Sequence, residues 1–267
     1  MLKRRVIPTL LLSGPGLVKG KQFNSWRRIG PLLQAVRVYE SRQVDELILL
    51  DIAATPEGRG PDFRAIEDAA GELFAPLTVG GGVRTIEDIR QLLRCGADKV
   101  AICTAALERP EFIDEASDKF GAQAIVVAID TKGGRVWSRC ARVQHDVGPA
   151  EWAKDVVYRG AGEILLNAVD RDGVFDGYDI RTIERVSGVV SVPVIASGGC
   201  GTYEHMAEAL NAGASAVAAA SIFHFTDATP AGARRYLRSQ GFPVRADLAY
   251  EGRTAQRAGS VAPRAVR

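Results

Sequence analysis

The chain has 267 residues, of which 46% are hydrophobic and 25% are charged, a composition typical of a globular protein and not of a disordered chain or a coiled coil. Its 34 Lys and Arg residues nearly balance 32 Asp and Glu residues, so a net charge of +2 leaves no basic excess for binding nucleic acid. No apolar run reaches the roughly 18 residues that a membrane helix needs, so we expect no membrane association.

Four cysteines are spread along the chain, without a CxxC pair and without a histidine at metal-ligand spacing. This pattern argues against a zinc site and fits reduced thiols in a cytoplasmic protein. The first residues resemble a signal peptide, but Pro8 interrupts the short apolar run and no small-residue cleavage site follows it. We therefore predict a buried first strand at this end.

Short apolar runs bounded by turn residues alternate with helical stretches along the chain. We predict strands at about 5–12, 46–52, 76–80, 98–103, 124–130, 163–168, 192–197 and 216–221. Residues 125–129 are apolar on both faces, as in a parallel sheet covered by helices. Residues 85–93 carry apolar side chains at helical spacing, with Thr85 as an N-cap and Gly96 as a stop. Eight β/α alternations predict a single (β/α)₈ (TIM) barrel over residues 1–245, with a doubly wound open sheet as the alternative.

An internal repeat favours the barrel. Gly82 recurs 117 positions later as Gly199, and the same offset relates Thr104 to Ser221. Chance similarity between two βα units is the alternative, but matched glycine and hydroxyl positions at one offset favour two duplicated half-barrels. Beyond residue 245 the pattern stops, and the composition of residues 246–267 predicts a disordered C-terminal tail.

Two glycine-rich turns mark the expected active site, which in such barrels lies at the C-terminal ends of the strands. Bare backbone N–H groups at these turns suit a phosphate dianion. Because Gly82 and Gly199 are each matched by a hydroxyl, on Thr104 and Ser221, we predict two phosphate sites on opposite sides of the mouth. Tight turns also need glycine for their own geometry, so the matched hydroxyls carry the argument for a bis-phosphate ligand.

Acidic residues follow two of the predicted strands. Asp130 ends the fifth strand, where a partly desolvated carboxylate could act as general acid or base, although an N-cap is the alternative reading. After the sixth strand, Asp172 and Gly173 either approach a ligand or shape a turn. Leu11 occupies the position in the first half that matches Asp130, so this pair cannot supply two opposed carboxylates.

Four of the predicted strands begin with a charged residue, at the other end of the predicted barrel. These residues are Arg5, Glu46, Lys99 and Glu163. With two charges of each sign, they predict a charged ring around the N-terminal mouth, where a layer of ion pairs that stabilises the fold is the simplest interpretation.

Together these motifs resemble the cyclase subunit of imidazole glycerol phosphate synthase along about residues 1–245. The resemblance is carried by VGGG at 79–82, GAGEILLNAVDRDG at 160–173 and ASGG at 196–199. In that family, ammonia from a separate glutaminase subunit passes through the barrel and attacks a bis-phosphorylated ribulosyl aminoimidazole. The products are imidazole glycerol phosphate and an aminoimidazole carboxamide ribotide. The resemblance implies a glutaminase partner and a phosphorylated substrate. We also expect a cytoplasmic location and neither cofactor nor metal.

The resemblance also assigns roles by position. Substrate and phosphate binding fall to Lys19, Gly82, Thr104, Asp172, Gly173, Gly199 and Ser221. Asp130 is implied to be a catalytic acid or base, and the charged ring becomes a gate through which ammonia enters. Asp98 and Gln123 are implied to lie near the glutaminase contact.

Three positions depart from the family pattern. Leu11 stands where the family has a catalytic aspartate, Cys103 replaces an Asn, and Asn167 replaces a Thr. With the stretch 16–19, these departures resemble a branch of paralogues that amidate nucleotide-linked sugars for surface polysaccharides.

Three hypotheses follow. The favoured one is a paralogue that delivers ammonia to another acceptor. The second is a genuine histidine-pathway cyclase in which Asp130 compensates for the missing acid. The third is a barrel without catalytic activity that only activates a glutaminase.

Overall fold

The computed structural model describes residues 3–246. Its strands are, in chain order, β1 (Arg5–Ser13), β2 (Gly16–Lys21), β3 (Asn24–Gly30), β4 (Leu47–Asp51), β5 (Leu77–Gly80), β6 (Lys99–Ile102), β7 (Ile125–Lys132), β8 (Arg135–Ser138), β9 (Val143–His145), β10 (Glu163–Ala168), β11 (Val194–Ser197) and β12 (Ala216–Ala219). Its α-helices are α1 (Leu32–Ser41), α2 (Phe63–Ala70), α3 (Ile86–Arg94), α4 (Thr104–Glu108), α5 (Glu111–Phe120), α6 (Pro149–Tyr158), α7 (Ile180–Ser187), α8 (Tyr203–Asn211), α9 (Ser221–Phe225) and α10 (Pro230–Ser239).

The sheet closes on itself. Parallel pairing runs from β1 through β4, β5, β6, β7, β10, β11 and β12, and β12 pairs again with β1. The register places Ile7 beside Ala218 at one seam and Asp130 beside Asn167 at another. The predicted (β/α)₈ barrel is confirmed, and the open doubly wound alternative is excluded because no barrel strand is left at an edge within residues 3–246.

The barrel strands are buried on both faces, and this explains why they read as continuous apolar runs. One cluster fills the barrel interior and includes Ile7, Ile48, Val126, Leu165 and Ile195, none of which exposes more than 1% of its surface. The alternate side chains of the same strands pack outward against the helices in a second, larger cluster. Burial of both faces removes more apolar surface from water than a single-faced sheet could.

Helix α3 forms as its sequence predicts. The Thr85 hydroxyl accepts a hydrogen bond from the backbone N–H of Asp88, and the Asp88 side chain accepts one from the N–H of Thr85 in return. This capping box satisfies N–H groups that a helix N-terminus leaves unpaired. After the helix, Gly96 takes a φ of +99°, the left-handed conformation that ends many helices.

The two halves of the barrel repeat each other with the offset read from the sequence. Strands β5 and β6 are matched by β11 and β12, and helices α3 and α4 by α8 and α9, each 117 residues later. Each half also carries a hairpin on its first strand, β2–β3 on β1 and β8–β9 on β7. These hairpins were not predicted, and β7 runs two residues beyond Asp130 to enter the second one.

The predicted C-terminal tail, 246–267, lies outside the described residues apart from its first position. Within residues 3–246, no helix is both long and apolar enough to cross a membrane.

Candidate functional site

One cavity opens at the C-terminal ends of the barrel strands and collects the substrate and catalytic residues predicted from the sequence. It is lined by Lys19, Gly82, Thr104, Asp130, Asp172, Gly173, Gly199 and Ser221. These positions come from both halves of the chain, so the closure of the barrel is what brings them together.

Each glycine turn follows a barrel strand and packs closely against a neighbouring loop. Gly82 has a φ of +75° and Gly199 a φ of +101°, which side chains rarely adopt. A Cβ on Gly199 would lie 2.1 Å from the carbonyl oxygen of Gly177, and one on Gly82 would lie 2.7 Å from the Cβ of Ala54. The turns therefore need glycine for conformation and for space, and they leave bare backbone facing the cavity.

The two matched hydroxyls differ in their surroundings. Thr104 Oγ1 accepts a hydrogen bond of 3.0 Å from the backbone N–H of Arg139, in the loop between β8 and β9. Ser221 is buried, with 6% of its surface exposed, at the start of α9. The second hairpin therefore reaches the first-half site, which makes the two ends of the cavity unequal despite the sequence repeat.

Asp130 lines this cavity and is buried. Its Oδ1 accepts a 2.8 Å hydrogen bond from the side-chain amide of Asn167, and the Cys103 thiol lies 3.7 Å from its Oδ2. Burial raises the pKa of Asp130 to about 6, against the opposing effect of these two donors, and nearby Asp172 raises it further. A carboxyl group with this pKa is poised for proton transfer near neutral pH.

Lys19 reaches across the mouth from the first hairpin. Its Nζ lies 2.7 Å from both carboxylate oxygens of Asp172, and only 2% of the Lys19 side chain is exposed. Gln22 follows with two more contacts of 2.8 Å, from its backbone N–H to the carbonyl of Asp172 and from its amide to the carbonyl of Asp170. These contacts hold the hairpin against the loop after β10. Asp172 therefore binds a cation in addition to its place at the end of the turn formed by residues 169–171.

Sequence reasoning missed several residues that line this cavity. Asp51 ends β4 much as Asp130 nears the end of β7, and it binds Arg59 through both carboxylate oxygens at 2.6 and 2.9 Å. The position of Asp51 after a buried strand was a usable signal. Phe23 and Trp26 also line the cavity, but they belong to the unpredicted hairpin.

The predicted charged ring forms at the opposite end of the barrel. Arg5 pairs with Glu46 at 2.5 Å and with Glu163, and Lys99 pairs with Glu46 at 3.1 Å and with Glu163 at 2.8 Å. Each charge therefore touches two of opposite sign. Burial alone would raise the pKa of Glu163, but its hydrogen bond to Arg5 and the charges of Arg5 and Lys99 outweigh that effect and lower it.

The two residues expected near a partner lie at this same end. Asp98 precedes β6 and accepts a 2.8 Å hydrogen bond from the backbone N–H of Leu77. Gln123 is exposed in the turn before β7. Neither belongs to the cavity, which is consistent with a role apart from substrate. No cluster of His, Cys, Asp and Glu that could hold a metal ion occurs among residues 3–246.

Comparison with known proteins places this geometry in a family. The profile of the family described as "Histidine biosynthesis protein" matches residues 5–229. The chain belongs to this family. It is 47% identical over 254 residues to the imidazole glycerol phosphate synthase subunit HisF of Caulobacter vibrioides, an alignment that covers 92% of this chain and 98% of that subunit. It is 44% identical over 252 residues to the HisF subunit of Dictyoglomus thermophilum, covering 92% of this chain and all of that one. The chain is therefore an enzyme subunit of the cyclase type.

Proposed function

We propose that the chain is the synthase subunit of a glutamine-dependent amidotransferase complex and adds ammonia to a phosphorylated, nucleotide-linked sugar. Family membership supports the reaction class. The observation that carries the choice of acceptor is Leu11, which lines the mouth where the cyclase resemblance implies a catalytic aspartate. An apolar side chain cannot transfer a proton, so chemistry that needs two opposed carboxylates lacks one of them.

The carboxylates that do line the mouth support a single proton-transfer group. Asp51 is bound by Arg59 and Asp172 by Lys19, so both charges are neutralised. Asp130 has hydrogen-bond donors but no cation, and its raised pKa suits it to accept a proton from the attacking ammonia. It would then return this proton to the oxygen that leaves the acceptor. Asn167 would hold the carboxyl group in place for both steps.

Ammonia would arrive from a glutaminase subunit bound at the N-terminal end, near Asp98 and Gln123. The barrel interior above the charged ring is apolar, so neutral ammonia would cross it far more readily than ammonium, whose unpaired charge is costly to bury. The ammonium group of Lys99 is carried on a flexible four-carbon side chain. We therefore expect its two ion pairs to break with less backbone movement than those of Arg5. The glycine turns at the other end would hold the phosphates of the acceptor.

A second candidate is favoured by a different observation. The 47% identity to a HisF subunit over nearly the whole chain also fits a histidine-pathway cyclase that works with Asp130 alone. One general acid or base typically contributes a factor of about 10²–10⁴ in rate. Such a cyclase would therefore be slow.

Ammonia-dependent turnover of the bis-phosphorylated histidine-pathway substrate separates the two candidates. Purified protein would be assayed with excess ammonium salt at raised pH, which bypasses the glutaminase, with Leu11→Asp in parallel. We expect little turnover by the natural sequence and a gain in Leu11→Asp. Turnover by the natural sequence at the rate of a HisF subunit would overturn the proposal. Amidation of a nucleotide-linked sugar, measured as ammonia consumed, tests it directly.

We also propose a cytoplasmic location. The support is chemical: Cys95, Cys103, Cys140 and Cys200 are all free thiols, as expected in a reducing compartment.

A further inference from the structure

The tip of hairpin β2–β3 has a backbone shape that its sequence does not favour. Lys21 pairs with Asn24, so Gln22 and Phe23 form a two-residue turn, with φ values of +51° and +58°. Turns of this kind prefer Asn and Gly because larger residues are strained at positive φ. The strain is offset by the contacts of Gln22 with Asp170 and Asp172 and by the position of Phe23 in the cavity wall. Strained positions held by their surroundings are typical of functional elements.

The same hairpin presents an aromatic ring to the cavity. Trp26 lines the mouth while 40% of its surface stays exposed to solvent. The indole packs against the backbone of Gly20, where an added Cβ would lie only 2.7 Å from the Trp26 Cε3 atom. The ring is therefore held in position by its own hairpin, with surface still free for a planar group to stack on it.

Unpaired positive charge accompanies this ring. Lys21, Arg27 and Arg28 are exposed, and no acidic residue lies within ion-pair distance of them in the described part of the chain. Arg27 stacks on the ring of Phe225 at 3.7 Å, which fixes its direction beside α9. Across the mouth, by contrast, Arg59 is neutralised by a carboxylate. The hairpin that carries Trp26 thus also carries three exposed cations, none of which forms an ion pair among residues 3–246.

We propose that hairpin β2–β3 is a nucleoside diphosphate subsite, with the base stacked on Trp26 and the diphosphate held by Lys21 and Arg28. A phosphate alone would need no aromatic ring, and an apolar ligand would need no cations. A planar ring joined to a polyanion uses both. This subsite is separate from the two glycine turns and rests on the proposed function, because it supplies the site for the nucleotide part of the acceptor.

Calorimetric titration of the full chain with UDP tests the subsite without any turnover. Trp26→Ala should weaken UDP binding by about tenfold or more, because stacking one base on an aromatic ring is typically worth that much. Trp26→Phe should retain most of the affinity, since a ring remains. Ribose 5-phosphate, which has no base, should bind wild type and Trp26→Ala equally, and this shared ligand also reports that the variant is folded. Phe74→Ala removes an aromatic side chain that is 96% exposed at the opposite end and should change nothing.

The charges are tested in the same titration. UDP affinity should fall as salt is raised, because exposed charges are screened. The double variant Lys21→Gln with Arg28→Gln should lose most of this dependence while it keeps the difference between wild type and Trp26→Ala.

Two results would overturn the subsite: equal UDP affinity in wild type and Trp26→Ala, or no binding of UDP at millimolar concentration. Binding of aminoimidazole carboxamide ribotide that depends on Trp26, without binding of UDP, would assign the hairpin to a histidine-pathway ligand instead. If UDP binds through Trp26 but no UDP-linked sugar consumes ammonia, the subsite stands and the proposed acceptor falls. If a UDP-linked sugar is amidated while Trp26→Ala binds UDP normally, the subsite falls and the proposed function stands.

Discussion

Lys19 and Asp172 form a bidentate ion pair across the mouth of the barrel, 153 residues apart in the chain, with both N–O distances at 2.7 Å. This pair joins a hairpin of the first half to a loop of the second. Lys19→Met keeps the length of the stem but leaves the carboxylate of Asp172 unpaired at a site where only 16% of its side chain is exposed. We expect a loss of about 1–3 kcal/mol in the free energy of unfolding, measured by urea titration.

The hairpin should also open in that variant, and Trp26 fluorescence together with proteolysis near Gln22 would report it. Lys21→Met is the matched control, since Lys21 is exposed on the same strand and forms no ion pair among the described residues. An equal effect of both substitutions would show that the ion pair does not hold the hairpin.

Asp130 should make the protein less stable at neutral pH than it is in acid. Its pKa of about 6 in the folded state lies above the value of about 3.9 in an unfolded chain. Its contribution to stability is therefore fully present below pH 4 and is lost as the pH rises through 6. Asp130→Asn, which cannot ionise, should gain about 1–3 kcal/mol over wild type at pH 7.5, and this gain should vanish near pH 4.

Thermal unfolding of both proteins from pH 4 to 8 measures this difference. Asp146→Asn, at a site where 95% of the carboxylate side chain is exposed, serves as the control and should show no such gain. A constant difference between Asp130→Asn and wild type across this range would contradict a buried carboxyl group with a raised pKa.

Gly199 should tolerate no side chain. Alanine there meets the carbonyl oxygen of Gly177 and adopts an unfavourable φ of +101°. We expect Gly199→Ala to lower the unfolding free energy by more than about 2 kcal/mol and to weaken binding of inorganic phosphate. Gly58→Ala measures the conformational part of this loss in unfolding free energy alone, because Gly58 has a φ of +70° but no atom lies within 4 Å of the added Cβ. Its cost should be about 1 kcal/mol, without a change in phosphate binding.

Glu163 holds both cations of the charged ring and should be important for stability. Its pKa is lowered in the folded state, so its contribution is present at neutral pH and is lost as the pH falls through that lowered pKa. Glu163→Gln should cost about 1–3 kcal/mol at pH 7 and less in acid. Glu115→Gln breaks an ion pair with Arg109 in which both side chains are 48% exposed, and it should cost under about 1 kcal/mol. Similar losses in both variants would contradict a special role for the ring.

The barrel was predictable because its strands are covered on both faces, so they appear as uninterrupted apolar runs such as residues 125–129. The site positions were predictable because a repeated glycine turn leaves a local mark in the sequence. The hairpin β2–β3 left no such mark. Its turn uses Gln22 and Phe23 where a hairpin usually signals itself with Asn and Gly, and its strands contain register shifts.

Contacts between the halves also left no local trace. The amide of Asn167 on Asp130 and the ammonium of Lys19 on Asp172 join positions far apart in the chain. Such pairs depend on the tilt and register of a closed sheet, which periodicity along one strand does not specify. The family resemblance supplied Lys19, but its pairing with Asp172 required the fold.

Closure of the barrel limits where another chain could add a strand to the sheet. A closed sheet has no unpaired rim, so within residues 3–246 the exposed backbone edges are those of the two hairpins, at β3 and β9. Strand β3 carries Arg27 and Arg28, and charged side chains on an edge discourage another chain from adding a strand. Arg28, which we assign to ligand binding, thus also protects this edge from the addition of another strand. Selection for solubility and for ligand recognition would then act on the same short segment.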